Sequence, residues 1–287
     1  HHPVMARDIT AVVDDLTVTD GAARLIDRAR PELVVNCAAL ADVDACERDP
    51  EAAHRLNATL AADLASACAR HDVDLVHVST DAVFGASPGP YTVESPPSPL
   101  NEYGRSKLAG EMAVREAHPS AMILRTNIVG WSPTGRRSLL EYFWNRLSAG
   151  QTAPGFHDVQ FRPVAAGDLW PMLLAWLYEP GLTGGIRHAT GTTLLSKFDF
   201  GRAVAEAFGF DPSLVERSSV ALAGLTSTRA PSMDVVPSPP PAAATVGQDG
   251  WPAPGVHAAL QRLKDLADHG HRARLADFVS RAVERSN

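Results

Sequence analysis

Short β-branched runs alternate with longer stretches of helical period through the first half of the chain. AVVDDL (11–16) predicts a strand, and DGAARLIDRARP (20–31) predicts a helix that Pro31 ends. ELVVNCAA (32–39) has the character of a buried strand, residues 50–71 carry a long helical period, and DLVHVST (74–80) is a second buried strand. A helix over 107–118 and a strand over 121–130 follow. Strands that are apolar throughout, separated by helices, predict an α/β fold with a doubly wound parallel sheet covered on both faces.

Beyond about residue 131 the pattern loosens. Helices are predicted over 138–150, 167–180 and 196–210, and one or two more after 255. The stretch 235–255 is too rich in proline to hold regular structure. The division expected is a sheet-based lobe over 1–150 and a smaller, mainly helical lobe over 151–287. The chain shows no internal repeat.

Composition narrows the function classes. The 287 residues carry 26 Lys and Arg against 33 Asp and Glu, a net charge of −7, so no electrostatic footprint for nucleic acid or an anionic membrane is present. No apolar run approaches the ~18 residues of a spanning helix, and HHPVMARDIT lacks the apolar core of a signal peptide. The three cysteines, Cys37, Cys46 and Cys68, have neither CxxC spacing nor an even count, which argues against a disulfide framework or a zinc cage. A cytoplasmic protein is expected, with no nucleic acid, membrane or metal among its partners.

The chemistry gathers in residues 76–111. A buried strand delivers Ser79, Thr80 and Asp81 to its carboxyl end, and Tyr103 and Lys107 stand one helical turn apart some twenty residues later. Reducing a ketone with hydride leaves an alkoxide that needs a proton donor. A free tyrosine titrates near ~10, and a neighbouring ammonium lowers that value. A threonine hydroxyl can hold the carbonyl oxygen meanwhile. Trp131, just after a strand end, is a candidate substrate neighbour, whereas Trp144, Trp170 and Trp176 are read as packing residues. GASPG (85–89) spells a nucleophile elbow, but the residue after Ser87 is Pro88, which has no N–H for an oxyanion hole, so a turn is the better reading.

HVSTDAVFG, Glu94 before a Pro-rich turn, SPLNEYGRSKLAGE and ILRTNIVG, with NCAALADVDACERDPEAAHRLNA upstream, are similar to the dTDP-4-dehydrorhamnose reductase family of extended short-chain dehydrogenases/reductases. The resemblance implies a Rossmann-type fold and NADPH- or NADH-dependent reduction of the 4-keto group of a nucleotide-activated deoxysugar. It implies Thr80, Tyr103 and Lys107 as the catalytic trio, with Lys107 also on the nicotinamide ribose. Asp15 and Leu16 would lie beside the adenine. Asn36, Cys37, Ala38 and Ala39 would line the middle of the cofactor, followed by Asn57 in the next helix. Asp81, Asn127, Arg162 and Arg229 would face the sugar nucleotide, and a second copy of the chain is an optional partner.

One departure stands out. No G-x-G-x-x-G or G-x-x-G-x-x-G occurs in the chain, and the resemblance starts near His1–Val4, where the family's second strand has ended. The first β-α-β unit, whose helix N-terminus receives the pyrophosphate, is therefore expected to be absent. A shortened reductase, a poorly folding relic and a catalytically silent binding or regulatory subunit all remain open on the sequence. The regulatory β subunit of methionine adenosyltransferase is a member of the last kind.

Overall fold

A computed structural model of the chain describes residues 12, 14–85, 89–132, 138–177, 184–223, 227–229, 232–239 and 255–270. The strand expected over 11–16 does not form at its described positions. Val12 is 50% exposed, and Asp15 Oδ1 accepts from both the N–H and the hydroxyl of Thr17 at 2.9 and 2.6 Å. That local turn satisfies the backbone in place of a ladder.

The regular chain begins with α1 (Gly21–Ala29) and β1 (Leu33–Asn36). Three helical pieces follow, α2 (Val43–Arg48), α3 (Pro50–His54) and α4 (Leu60–Arg70), with a π turn at Arg55–Thr59 joining the last two. Asp49 caps α3 through the Ala52 N–H, and Pro50 takes the first helical position, where its missing N–H costs nothing. Next come β2 (Asp74–Thr80), α5 (Glu102–Ala117), β3 (Met122–Thr126) and the two-residue β4 (Ile128–Val129). Then α6 (Leu139–Ser148) starts on a capping box between Ser138 and Glu141.

Beyond it lie β5 (Ala153–Phe156), β6 (Gln160–Phe161), β7 (Val164–Ala165), α7 (Ala166–Leu177) and β8 (Gly185–Ala189). The described chain closes with β9 (Leu195–Ser196), α8 (Lys197–Phe208), β10 (Val215–Ser218), β11 (Ser232–Met233) and α9 (Val256–Asp268). Residues 86–88 of GASPG, most of the Pro-rich stretch and everything after 270 lie outside the described residues.

The main sheet has the order β1-β2-β3-β8, all parallel, so the chain returns from beyond residue 150 to supply its fourth strand. Its two faces follow from strand alternation. Leu75 and Ile123 pack under α1, α4 and α5, while Val76, Met122 and Leu124 meet Met172, Leu173 and Trp176 of α7. A separate cluster joins α6, α8 and α9 around Phe143, Phe161, Phe200 and Leu260.

Two glycines let α5 lie flat on its neighbours. A Cβ at Gly104 would stand 2.2 Å from the Ala82 carbonyl oxygen, and one at Gly110 would stand 2.1 Å from that of Asn57. Gly110→Ala is therefore expected to cost about 1–3 kcal/mol, since the clash is with backbone that cannot swing aside. Denaturant midpoints measure this, and an unchanged midpoint would show that α5 can lift from the π turn freely.

Candidate active site

The carboxyl ends of β1, β2 and β3 open into a cavity of about 370 Å³. Register aligns Asn36 with His77 and Thr80 with Thr126, so the polar ends of the strands stand side by side at its floor. The first turn of α5 forms a wall. Asn101 caps that helix by accepting the Gly104 N–H at 2.9 Å and donates to the Thr228 carbonyl at 2.9 Å, which fixes the direction from which Tyr103 and Lys107 enter.

Lys107 is 2% exposed, and its Nζ donates to the Val78 carbonyl at 2.7 Å. It also lies 3.5 Å from His77 Nε2. An ammonium has three donors and only the Val78 carbonyl takes one, so two remain for the cleft that this residue lines. On the far side of the ring, His77 Nδ1 lies 3.0 Å from Asn36 Nδ2, while Asn36 Oδ1 accepts the Ala38 N–H at 3.0 Å. That pattern makes Nδ1 the acceptor and places the proton of the neutral imidazole on Nε2. Burial brings the Lys107 amine down to about 8, against the pull of Glu111.

Thr80 Oγ1 accepts the Ala82 N–H at 3.1 Å and lies 3.2 Å from Asp81 Oδ1, to which it donates. Asp81 Oδ2 accepts from Asn127 Nδ2 at 2.6 Å. Burial raises the Asp81 carboxyl to about 6 in spite of these bonds. Tyr103 departs from the sequence expectation. Burial pushes its phenol up to about 12, assisted by the Asp81 charge and opposed by the Thr80 hydroxyl. Lys107 does not lower it, because its ammonium is turned to the Val78 carbonyl. The phenol is therefore fully protonated at neutral pH, the form that a proton donor needs.

The other residues singled out from the sequence divide by place. Cys37, Ala39 and Lys107 line the cavity, whereas Asn36, Ala38 and Asn57 do not. Asn57 accepts the Leu40 N–H at 2.8 Å and donates to the Ser106 hydroxyl at 2.9 Å, which ties the loop after β1 to α5. Asp81, Asn127 and Arg229 line it as well. Asp15 and Leu16 lie outside the cavity. Arg162 also lies outside it, paired with Asp234 at 2.6 Å and donating to the Thr192 carbonyl at 2.6 Å. Trp131 donates its indole N–H to the Leu263 carbonyl at 2.8 Å and packs edge-on to Trp144 and Phe208, away from the cleft.

Two features escape a reading of the sequence. Lys197 lines the cavity, and its only sequence signal is a cation at the first position of a helix, where the dipole disfavours it. Behind the strand ends lies a buried network. Arg125 donates to Glu111 at 2.7 and 3.0 Å, and the Ser79 hydroxyl reaches Glu111 Oε1 at 2.5 Å. The Arg125 guanidinium lies 4.9 Å from the centre of the Phe84 ring.

The buried imidazoles carry a pH prediction. Burial, reinforced by Lys107, brings His77 to about 3, and burial with Arg125 brings His188 to about 4 against the pull of the Val236 carbonyl and Glu94. Both rings take protons more readily once unfolded, so stability is retained above about 6.5 and lost as pH falls toward 4. Asp81, with its raised value, acts in the opposite sense below about 6 but is outnumbered. Chemical denaturation should show a loss of about 2 kcal/mol between pH 7 and pH 5. Constant stability over that interval would mean that the two rings are hydrated.

Among the described residues no helix is long and apolar enough to cross a membrane, and no cluster of three or more His, Cys, Asp or Glu could hold a metal ion.

Known proteins resemble this chain in sequence and in fold. The chain is 40% identical over 212 residues to a probable low-salt glycan biosynthesis reductase of Haloferax volcanii, covering 72% of this chain and 70% of the relative. It is 41% identical over 217 residues to the dTDP-4-dehydrorhamnose reductase of Mycolicibacterium smegmatis, covering 75% and 64%. The crystal structure of dTDP-4-dehydrorhamnose reductase from Bacillus anthracis in complex with NADP superposes with a TM-score of 0.76 at 24% identity, covering 88% and 86%, a likeness of fold. The sequence model of the RmlD substrate binding domain matches residues 4–233, a span that holds the parallel sheet, the strand-end hydroxyls and the Tyr103–Lys107 helix, and the chain belongs to that family.

Proposed function

We propose that the chain reduces the 4-keto group of a nucleotide-activated deoxysugar, with NADPH or NADH as hydride donor. The observation that carries this reading is the convergence of Thr80, Tyr103 and Lys107 on one cavity at the carboxyl ends of parallel strands. The relatives named as reductases supply the substrate class. A silent binding subunit would need the cavity but not a protonated phenol beside a hydroxyl and an ammonium, so the enzyme is favoured.

The residues fit a nicotinamide dinucleotide on the Cys37 side. Lys107 keeps a donor for ribose hydroxyls there, and the backbone around Ala39 is held by Asn57. When bound, the nicotinamide supplies hydride to the carbonyl carbon. The Thr80 hydroxyl and the Tyr103 phenol take the carbonyl oxygen between them. As charge develops on that oxygen, Tyr103 gives up its proton, which is downhill because an alkoxide is the stronger base. Lys107, turned from the phenol to the Val78 carbonyl, would hold the ribose and keep the nicotinamide end in register. Asp81, Asn127 and Arg229 orient the sugar nucleotide. The thiols of Cys37, Cys46 and Cys68 are free, which suits the reducing cytoplasm we assign.

The test is consumption of NADPH by the purified chain in the presence of a dTDP-4-keto-6-deoxy sugar, with the alcohol product identified by mass. Tight binding of both ligands without turnover would instead support the silent subunit.

A further inference from the structure

Three cations line the cavity, Lys107 interacting with Cys37, and Lys197 and Arg229 interacting with each other. The last two are not equivalent. Arg229 is engaged, with its Nη2 3.3 Å from Asp44 and its Nη1 donating to the Ser227 hydroxyl. The Lys197 ammonium, among the described residues, has neither a hydrogen bond nor an ion pair, although it lines the cavity. Its place is not left to chance. The Lys197 N–H bonds the Val159 carbonyl at 3.0 Å, and the Ser196 hydroxyl caps α8 by accepting the Asp199 N–H at 3.0 Å.

Three physical terms oppose an ammonium there. It occupies the first position of a twelve-residue helix, where the aligned peptide dipoles present their positive end. Arg229 repels it, and burial removes much of its water, so the amine titrates below its ordinary value. One charge attracts it, that of Asp81, but this carboxylate is already bonded by Asn127 and Thr80 and is itself raised to about 6. A packing role does not account for the choice, because methionine or glutamine would fill the same volume without these costs. An anion in the cavity would relieve all three at once.

We propose that Lys197 is the anion anchor of the substrate half of the cavity and takes a phosphoryl oxygen of a nucleoside-diphosphate sugar. The inference rests on the reductase reading for its substrate class. The sugar ring then lies toward Thr80 and Tyr103, with Asp81 and Asn127 on its hydroxyls and the diphosphate toward α8. The dinucleotide also carries phosphates, so the experiment has to tell the two sources apart.

Binding of dTDP and of NADPH is measured by calorimetry for the wild-type chain, Lys197→Gln and Lys197→Arg, alongside steady-state reduction of the keto sugar. For Lys197→Gln, dTDP should bind about tenfold or more weakly, with KM for the sugar nucleotide rising by a similar factor. Its kcat should change by less than about threefold, and its NADPH affinity should be unchanged. Lys197→Arg should restore most of the loss, and Lys197→Gln should melt no lower than wild type, since it removes a strained cation.

Unchanged dTDP affinity in Lys197→Gln, with wild-type turnover intact, would overturn the proposal and leave the reductase reading standing. Weakened NADPH binding with dTDP unaffected would assign the ammonium to the dinucleotide and equally overturn it. A wild-type chain that binds dTDP through Lys197 but reduces nothing would support the anchor while the reductase reading fails. No dTDP binding by wild type would sink both.

Discussion

Tyr103→Phe should lower kcat for keto-sugar reduction by about 10²–10⁴-fold, the range that a positioned general acid contributes, while leaving the melting temperature and NADPH affinity unchanged. The phenol hydroxyl is the only part removed, and the ring keeps its place in the first turn of α5 under the Asn101 cap. Because burial holds the phenol near 12, it stays protonated across the physiological range and adds no limb to the pH profile there. Lys107 does add one. Its amine titrates at about 8, so kcat/KM should fall as pH rises through that value and the ammonium is lost. That limb should persist, at much lower absolute rate, in Tyr103→Phe. A variant retaining more than about a tenth of the wild-type rate would exclude Tyr103 as the donor. Thr80 or an ordered water would then be the next candidate to test.

Arg125→Met or Glu111→Leu should each destabilise the fold by about 3–5 kcal/mol, because each leaves a partner stranded in a dry interior. Both residues are 2% exposed, and they meet through a 2.7 Å bond that ties β3 to α5. Ser79 adds a third contact from β2, and one guanidinium nitrogen, Nη1, has no hydrogen-bond partner among the described residues. The network therefore lies close to the point where desolvation and pairing balance. Removing both charges together, as Glu111→Leu with Arg125→Met, should cost much less than the sum of the single changes. Denaturant unfolding of the three variants closes the cycle. Additive losses would mean that the two groups do not interact energetically. Since Glu111 lies one turn beyond Lys107, the single variants should also loosen the register of α5, raising KM alongside the loss of stability.

Three strands of the main sheet and the helices that flank them were legible in the sequence, but its fourth strand, β8, falls in the stretch expected to be mainly helical and was not. VHVSTD and EYGRSKLAGE announce a strand end and a helix start by local rules, apolar period and spacing of four, which act within a dozen residues. AVVDDL obeys the same local rule and still forms no strand at its described positions, because a strand needs a neighbour to take its hydrogen bonds and the Asp15–Thr17 turn competes successfully. The Lys-Tyr spacing likewise predicts a shared helix face but not where the ammonium points. Only the packed structure turns Lys107 to the Val78 carbonyl and leaves Tyr103 with a raised rather than a lowered value.

By itself, then, the sequence determined the α/β order, the trio of hydroxyl, phenol and ammonium, and the segments that border the cleft. Tertiary structure alone decided which charges meet. Glu111 and Arg125 lie fourteen residues apart, Ser79 and Glu111 thirty-two, and Asp44 and Arg229 one hundred and eighty-five. It also decided that Lys197 ends beside Asp81 and Arg229, while Arg162 is spent on Asp234. The reason is physical. Burial periodicity records which face of an element is dry, whereas the worth of a charge depends on its distance to other charges and on the water removed around it, and both are set only when separate elements pack.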